Sequence, residues 1–166
     1  MKIGVVIYGS LDTVSGGYLY DRMLVDYLRR QGDQVEIISL PWRSYPPHLA
    51  DNLSSGLLER LSQLDADILL QDELNHPSLF WINNRLKARH TSPTQPAIRP
   101  LLISIVHHLR SSEAHPAWQL RIYRRVERRY LRSVDGFIFN SQATRKSVEA
   151  LAGISLPHIV ALPPAG

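Results

Sequence analysis

The sequence predicts an α/β fold built on a mainly parallel, doubly wound sheet of about six or seven strands, with helices on both faces. Three observations carry this. Short apolar or β-branched runs alternate with amphipathic runs of helical period along the whole chain. The strongest strand runs, residues 3–8 and 101–106, are almost continuously apolar, as strands buried on both faces of a parallel sheet are. The 166 residues suit one domain, residues 1–166, that can bury its own core.

Taken in order, residues 3–8 form the first strand, which breaks at Gly9. A short polar loop leads to Gly16-Gly17, which opens a helix. Its Tyr20, Met23, Leu24, Tyr27 and Leu28 recur at i, i+3, i+4, i+7 and i+8 as one stripe. Gln31-Gly32 stops this helix. Residues 35–40 form the second strand, and Pro41-Trp42-Arg43 ends it. Tyr45-Pro46-Pro47-His48 reads as an irregular linker. A helix from 54 or 55 to 64 aligns Leu57, Leu58, Leu61 and Leu64. The third strand, residues 66–71, runs into a polar loop, Asp72-Glu73-Leu74-Asn75-His76-Pro77. Residues 78–88 are helical, and residues 89–100, with Pro93, Pro96 and Pro100, are a loop. The fourth strand, residues 101–106, delivers His107-His108-Leu109-Arg110. A second polar loop, 111–116, precedes a long helix over 117–134. The fifth strand, 137–139, ends in Asn140-Ser141, and Ser141 caps a helix over 142–151 that stops at Gly153. A sixth strand, 158–162, leads to Pro163-Pro164-Ala165-Gly166.

Composition narrows the chemistry. With no cysteine, a disulfide, a thiolate metal site and a cysteine nucleophile are excluded. The first strand begins at the N-terminus without a signal-peptide pattern, and no apolar run reaches the ~20 residues of a membrane span, so a cytoplasmic protein is expected. A net charge of +4 points to phosphates, nucleic acid or anionic lipid as partners, or simply to a basic surface.

In a doubly wound sheet, ligands sit at the carboxyl ends of the strands. That rule selects residues 9–17, 72–76, 107–110 and 140–141. A strand, a glycine loop and a helix N-terminus together present free N–H groups to an anion. The spacing is not a dinucleotide fingerprint, because six residues separate Gly9 from Gly16, and no Lys-Ser/Thr follows Gly16-Gly17 as in a P-loop. The same glycines would also suit the start of a closely packed helix. Of His107 and His108, alternation sends only one toward the cleft, where an imidazole can bond a hydroxyl or stabilise charge. No metal site is expected. Asp72, Glu73, Asn75 and His76 suit hydroxyl recognition, as on a sugar, or form a solvated loop. In the long helix, Trp118, Ile122, Val126 and Tyr130 form an apolar line, and Arg121, Arg124, Arg125, Arg128 and Arg132 lie mostly away from it. Those arginines form a solvated face or meet an anionic membrane surface. Nucleic acid is not expected, since no binding motif accompanies them.

Four features together resemble the N-terminal, acceptor-side domain of a GT-B glycosyltransferase of family 4 (glycosyl transferases group 1). They are Ser15-Gly16-Gly17 after the opening strand, the strand ending Val106-His107, the helix holding Glu127 followed by Val134-Asp135-Gly136-Phe137-Ile138, and Asn140-Ser141-x-x-Thr144 before a helix. The resemblance covers the whole chain and implies a Rossmann-like three-layer α/β/α domain. It implies a retaining, hexosyltransferase-type enzyme that moves a sugar from a nucleotide-sugar donor, such as a UDP- or GDP-sugar, to a sugar or lipid-linked acceptor. No other cofactor and no metal are implied. Carried over, Gly16 and Gly17 approach the donor diphosphate and His107, the catalytic candidate, faces the reacting sugar. Ser15, Asp72, Glu73, Asn75, His76, His108 and Arg110 contact the acceptor. Glu127, Asn140, Ser141 and Thr144 are structural. His108 stands where many members have an acid. The donor is held mainly by a C-terminal domain that these residues do not include, so this part alone is expected to be inactive. Two alternatives stay open: a stand-alone flavodoxin-like or Rossmann-like binding domain, and a peripheral membrane module.

Overall fold

Six parallel strands form one sheet in the order β2-β1-β3-β4-β5-β6 in a computed structural model, which describes residues 1–90, 99–155 and 157–161. The strands are β1 (Lys2–Tyr8), β2 (Gln34–Leu40), β3 (Ile68–Asp72), β4 (Leu101–Val106), β5 (Gly136–Phe139) and β6 (His158–Val160). Between them run α1 (Gly16–Arg30), α2 (Tyr45–Asp51), α3 (Ser55–Ser62), α4 (His76–His90), α5 (Ala117–Leu131) and α6 (Gln142–Ala152). This is a Rossmann-like α/β fold. The chain winds from β1 out to β2, then crosses back to β3 on the other side of β1. The carboxyl ends of β1 and β3 therefore diverge into a crevice, where such sheets take their ligands.

Strand alternation divides the core between two faces. Val6, Leu69, Leu102, Phe137 and Phe139 pack beneath Leu58 and Leu61 of α3, Leu79 and Ile82 of α4, Val126 and Tyr130 of α5 and Val148 of α6. Truncating a fully buried residue such as Leu79 to Ala costs about 2–5 kcal/mol. The opposite face, with Ile3, Val5, Ile7, Leu70 and Ile105, packs against Tyr18 and Val25 of α1. Toward β6 this cover thins, and Ile159 is 59% exposed.

Several elements differ from the sequence expectation. Residues 45–48 are not a linker but the start of α2, because Pro46 and Pro47 fall in its first turn, where a missing N–H breaks no helical bond. Residues 72–77 are not a solvated loop. Asp72 ends β3, Glu73–Asn75 is a 3₁₀ turn and α4 begins at His76, so Asp72, Glu73, Asn75 and His76 are all buried. A second 3₁₀ turn, Arg110–Ser112, occupies the start of the other expected loop. The buried face of α1 is Tyr18, Asp21 and Val25, while Met23 and Tyr27 point outward. In α5 the buried face is Tyr123, Val126, Glu127, Tyr130 and Leu131, and Trp118 and Ile122 are exposed. The helix is rolled so that Glu127 reaches inward to the Ser111 N–H at 3.2 Å. The helices ending at 62 and 131 and the strand beginning at 68 are each shorter than expected. Residues 91–98, with Pro93 and Pro96, and the closing residues 162–166 lie outside the described residues.

Asp135 pins the crossing between α4, β4 and β5. Its carboxylate takes both Arg99 guanidinium nitrogens at 2.5 and 3.0 Å, Lys87 Nζ at 2.9 Å and the Leu102 N–H at 3.0 Å. Burial works against the charge, but these donors pull its pKa down to about 2.

Candidate functional site

Three elements meet at the crevice: the N-terminus of α1, the 3₁₀ turn after β3 and the residue after β4. Ser15 caps α1 from extended backbone, its Oγ accepting the Tyr18 N–H at 3.2 Å. The next two glycines differ. A Cβ at Gly16 would meet nothing within 4 Å. A Cβ at Gly17 would lie 3.2 Å from His107 Cδ2. Gly17 is thus the position that lets the His107 ring lie against the helix start.

His107 is held from four sides. Its backbone N–H donates to Glu73 Oε2 at 3.2 Å, and its carbonyl lies 3.1 Å from Thr144 Oγ1. Tyr20 packs edge-on against its ring at 5.0 Å. Its Nε2 lies 3.0 Å from Asp21 Oδ1. Burial alone would lower the imidazole pKa. The hydrogen bond to Asp21 and the charges of Asp21 and Asp72 outweigh that and raise it. With Nε2–H donated to Asp21, Nδ1 is the remaining nitrogen: an acceptor in the neutral ring and a donor in the charged one.

Asp21 is the candidate site residue that sequence reading missed. It is fully buried, and its second oxygen has no hydrogen-bond partner. Its one available signal was position: three residues after Tyr18 and four before Val25, on the face that turns inward. Asp72 and Glu73 complete an acidic floor. Asp72 Oδ1 accepts the Leu74 N–H at 2.8 Å, which starts the 3₁₀ turn. Burial raises both carboxyl pKa values. The Asp21 charge adds to the rise at Asp72, and the Asp72 charge adds to it at Glu73. Burial and mutual repulsion thus favour the neutral form of the Asp72 and Glu73 carboxyls beside His107. Among the described residues no group of three or more such side chains is arranged to hold a metal.

The Asn140-Ser141-x-x-Thr144 motif acts through His107. Ser141 Oγ caps α6 by accepting the Thr144 N–H at 3.0 Å. Thr144 Oγ1 sits 3.0 Å from Asn140 Oδ1 and 3.1 Å from the His107 carbonyl, and its one proton serves either. The motif thereby fixes the backbone of β4's last turn. Glu127 is buried and holds the Ser111 N–H, with burial raising its pKa. His108 turns away from the crevice. It is half exposed, and its Nε2 meets Glu113 at 2.8 Å.

Beyond the 3₁₀ turn lies a second cavity. Glu73 joins the two: its side chain takes the His107 N–H, and its carbonyl accepts from His76 Nδ1 at 2.9 Å. Tyr8, Trp42, Tyr45, His48, His76 and Arg110 line this cavity. Of these, only His76 and Arg110 were singled out from sequence. Asn75 is fully buried beside the Tyr8 hydroxyl and does not line this cavity.

A doubly wound domain with a helix N-terminus, a held histidine and an aromatic cavity at its winding reversal defines a ligand-handling α/β domain. The chain matches the glycosyl transferase 4-like domain over residues 25–165, and it belongs to that family. Membership implies a sugar donor and an acceptor. The matched span begins after Gly16-Gly17 and Asp21. No curated protein matches the chain.

Proposed function

We propose that this domain is the acceptor-side half of a retaining glycosyltransferase that moves a hexose from a nucleotide sugar to an acceptor hydroxyl. The bond broken is between the anomeric carbon and the leaving diphosphate, and the bond formed joins that carbon to the acceptor oxygen. The acceptor proton leaves with the diphosphate. Negative charge growing on the diphosphate would be met by the Gly16 and Gly17 N–H groups in the first turn of α1, the Tyr18 N–H being taken by Ser15 Oγ, a preorganised donor set of the kind that dominates such catalysis. His107 would lie beside the reacting sugar and donate or accept through Nδ1.

The observation that carries this reading is the His107 ring seated against Gly17 and tethered to a fully buried Asp21. That arrangement aims a charged-capable imidazole at a helix N-terminus, the combination a diphosphate leaving group needs. A second domain would hold most of the nucleotide. The thin cover over Ile159 and the exposed Leu19, Met23 and Tyr27 on α1 support such a neighbour. The family match weighs against the flavodoxin-like alternative.

A sugar-transfer assay tests the reading. The natural protein that carries this domain, supplied with UDP- and GDP-sugars and candidate acceptors, is expected to transfer sugar. His107→Ala should lower kcat about 10²–10³-fold, the usual loss for one transition-state donor. The 166-residue chain alone should transfer none. Full activity in H107A, or turnover by the isolated chain, contradicts it.

A second observation favours a membrane-surface role at the cytoplasmic leaflet, compatible with transfer to a lipid-linked acceptor. Arg124, Arg125, Arg128, Arg129 and Arg132 line one open groove beside Leu151, and among the described residues none of them forms an ion pair. Exposed Trp118 and Ile122 extend the same helix. Among the described residues no helix is long and apolar enough to cross a membrane.

A further inference from the structure

The cavity beside the 3₁₀ turn is lined by Tyr8, Trp42, Tyr45, His48, His76 and Arg110, and measures about 340 Å³. That volume is at the small end for ligand sites and fits one sugar-sized group.

Its polar groups are nearly all settled. Burial pushes the His76 pKa down to about 3, so the ring is neutral. Its Nδ1 must donate to the Glu73 carbonyl at 2.9 Å, and Nε2 then accepts from the Tyr45 hydroxyl at 3.1 Å. His48 is stacked on Tyr8 at 4.0 Å, accepts the Arg43 N–H, and burial lowers its pKa. Arg43 is paired with Asp51 at 2.5 Å.

The exceptions are His48 Nδ1, which lies 3.5 Å from Asp51 Oδ2 without a hydrogen-bond partner, and Arg110. Its guanidinium carbon lies 5.5 Å from the Tyr45 ring centroid and 5.0 Å from that of Tyr123, which fixes its plane. Among the described residues no carboxylate pairs with it, and its Nε is buried without a hydrogen-bond partner. Of the acids nearest in the fold, Glu113 meets His108 and His115, and Glu127 accepts the Ser111 N–H through Oε1 while its buried Oε2 has no hydrogen-bond partner. The cavity thus carries a guanidinium that no carboxylate pairs with among the described residues and whose plane two tyrosine rings hold, and a guanidinium held this way matches the geometry of a phosphate. Across the cavity Trp42 lies edge-on to Tyr8 at 5.8 Å and is 62% exposed, an open aromatic surface for a ring.

We infer that this cavity binds an acceptor in which a phosphate group is carried on a sugar or polyol ring, with Arg110 holding the phosphate and Trp42 covering the ring. This rests on the acceptor-side reading of the domain. A soluble sugar phosphate and a phosphoinositol lipid headgroup share that chemistry.

Isothermal titration calorimetry of the 166-residue chain tests it, with glucose 6-phosphate, glucose and a short-chain phosphatidylinositol as probes. A phosphate-bearing probe is expected to bind at least 10-fold more tightly than glucose, and the tighter of the two phosphate probes assigns the source. Arg110→Gln should erase that preference. Trp42→Ala, a change at an exposed side chain that leaves the fold intact, should weaken glucose 6-phosphate and glucose alike. Arg124→Glu with Arg125→Glu, on another face, should leave the preference in place and so exclude general charge attraction. Equal affinity for glucose and glucose 6-phosphate, a preference that survives R110Q or disappears in R124E/R125E, or binding unchanged in W42A overturns the inference. Efficient transfer by the natural protein to unphosphorylated acceptors, without preference for phosphorylated ones, overturns it while the transferase reading stands. Phosphate-dependent, Arg110-dependent binding without transfer from any nucleotide sugar does the reverse.

Discussion

Gly16→Ala and Gly17→Ala give opposite outcomes although the residues are adjacent and both begin α1. Neither glycine has a positive φ, so the alanine backbone is allowed at both. At Gly16 the new methyl meets nothing within 4 Å, and what remains is the loss of unfolded-state freedom. That stabilises by about 0.4–1 kcal/mol, or roughly 1–4 °C in Tm for a domain of this size. At Gly17 the same gain is opposed by a 3.2 Å contact with His107 Cδ2, so the ring must retreat by a few tenths of an ångström. It has nowhere to go without stretching the 3.0 Å bond to Asp21 or pressing on Tyr20. A hydrogen bond to a charged group is worth about 1.5–3 kcal/mol, and losing half of it more than cancels the gain. G17A should therefore be less stable than G16A by about 0.75–1.5 kcal/mol, a gap of roughly 2–6 °C. Thermal unfolding by circular dichroism measures the gap, and NMR titration of the His107 ring measures the cause. The His107 pKa should fall in G17A and stay put in G16A. Equal melting temperatures with an unchanged His107 titration in G17A would refute the reasoning.

Other consequences follow from the same contacts. In Asp21→Asn the burial that lowers the His107 pKa remains while the partner that raises it is gone, so the NMR-measured pKa should drop. A raised folded-state imidazole pKa stabilises fully below the unfolded value of about 6.5, and that stability is lost as pH rises through the folded value. The fall in wild-type Tm above pH 6.5 should accordingly be shallower in D21N, and an identical slope counts against the pairing. Asp135 runs the other way, because its pKa is depressed to about 2. Its contribution, about 1–2 kcal/mol after allowing for partial exposure, is present above about pH 4 and is lost toward pH 2. Asp135→Asn should lower Tm at pH 7 by roughly 2–8 °C and flatten that acid limb, and a Tm within a degree of wild type rules the network out as a stabiliser. Arg124→Glu, Arg125→Glu and Arg128→Glu together should abolish salt-sensitive binding to vesicles rich in anionic lipid without changing Tm, and vesicle binding that survives shows a merely solvated face.

What the sequence disclosed, and what it hid, follows the range of the interactions involved. Strands 3–8 and 101–106 were legible because burial on both faces writes itself as unbroken apolar runs. Ser141 and Thr144 were legible because capping is local, three residues apart. Gly16-Gly17 was placed correctly at the helix start, yet the reason for Gly17 lies at His107, far along the chain. Asp21 was invisible for the same cause: an acid within a helix reads as a surface residue until a partner 86 residues away claims it. The acids at 72 and 73 read as part of a polar loop, fit for hydroxyl recognition or simply solvated, since only the packing of α1, β4 and α4 around them reveals burial. Pro46 and Pro47 disguised α2, because a first-turn proline looks like a breaker when the helix that follows is short. The aromatic cavity escaped notice because Tyr8, Trp42 and Tyr45 come from a strand end, a turn and a helix that share no motif.

The central claim is that the first turn of α1, beside His107, receives the donor diphosphate. Titration of the ¹⁵N-labelled chain with UDP and a UDP- or GDP-sugar, followed through backbone amide shifts, tests it most directly. The account predicts weak, saturable shifts concentrated at the amides of Gly16, Gly17 and Tyr18 and at His107, reduced in H107A. Shifts that leave these amides unmoved while others saturate, or no shift at any nucleotide concentration reached, would contradict it.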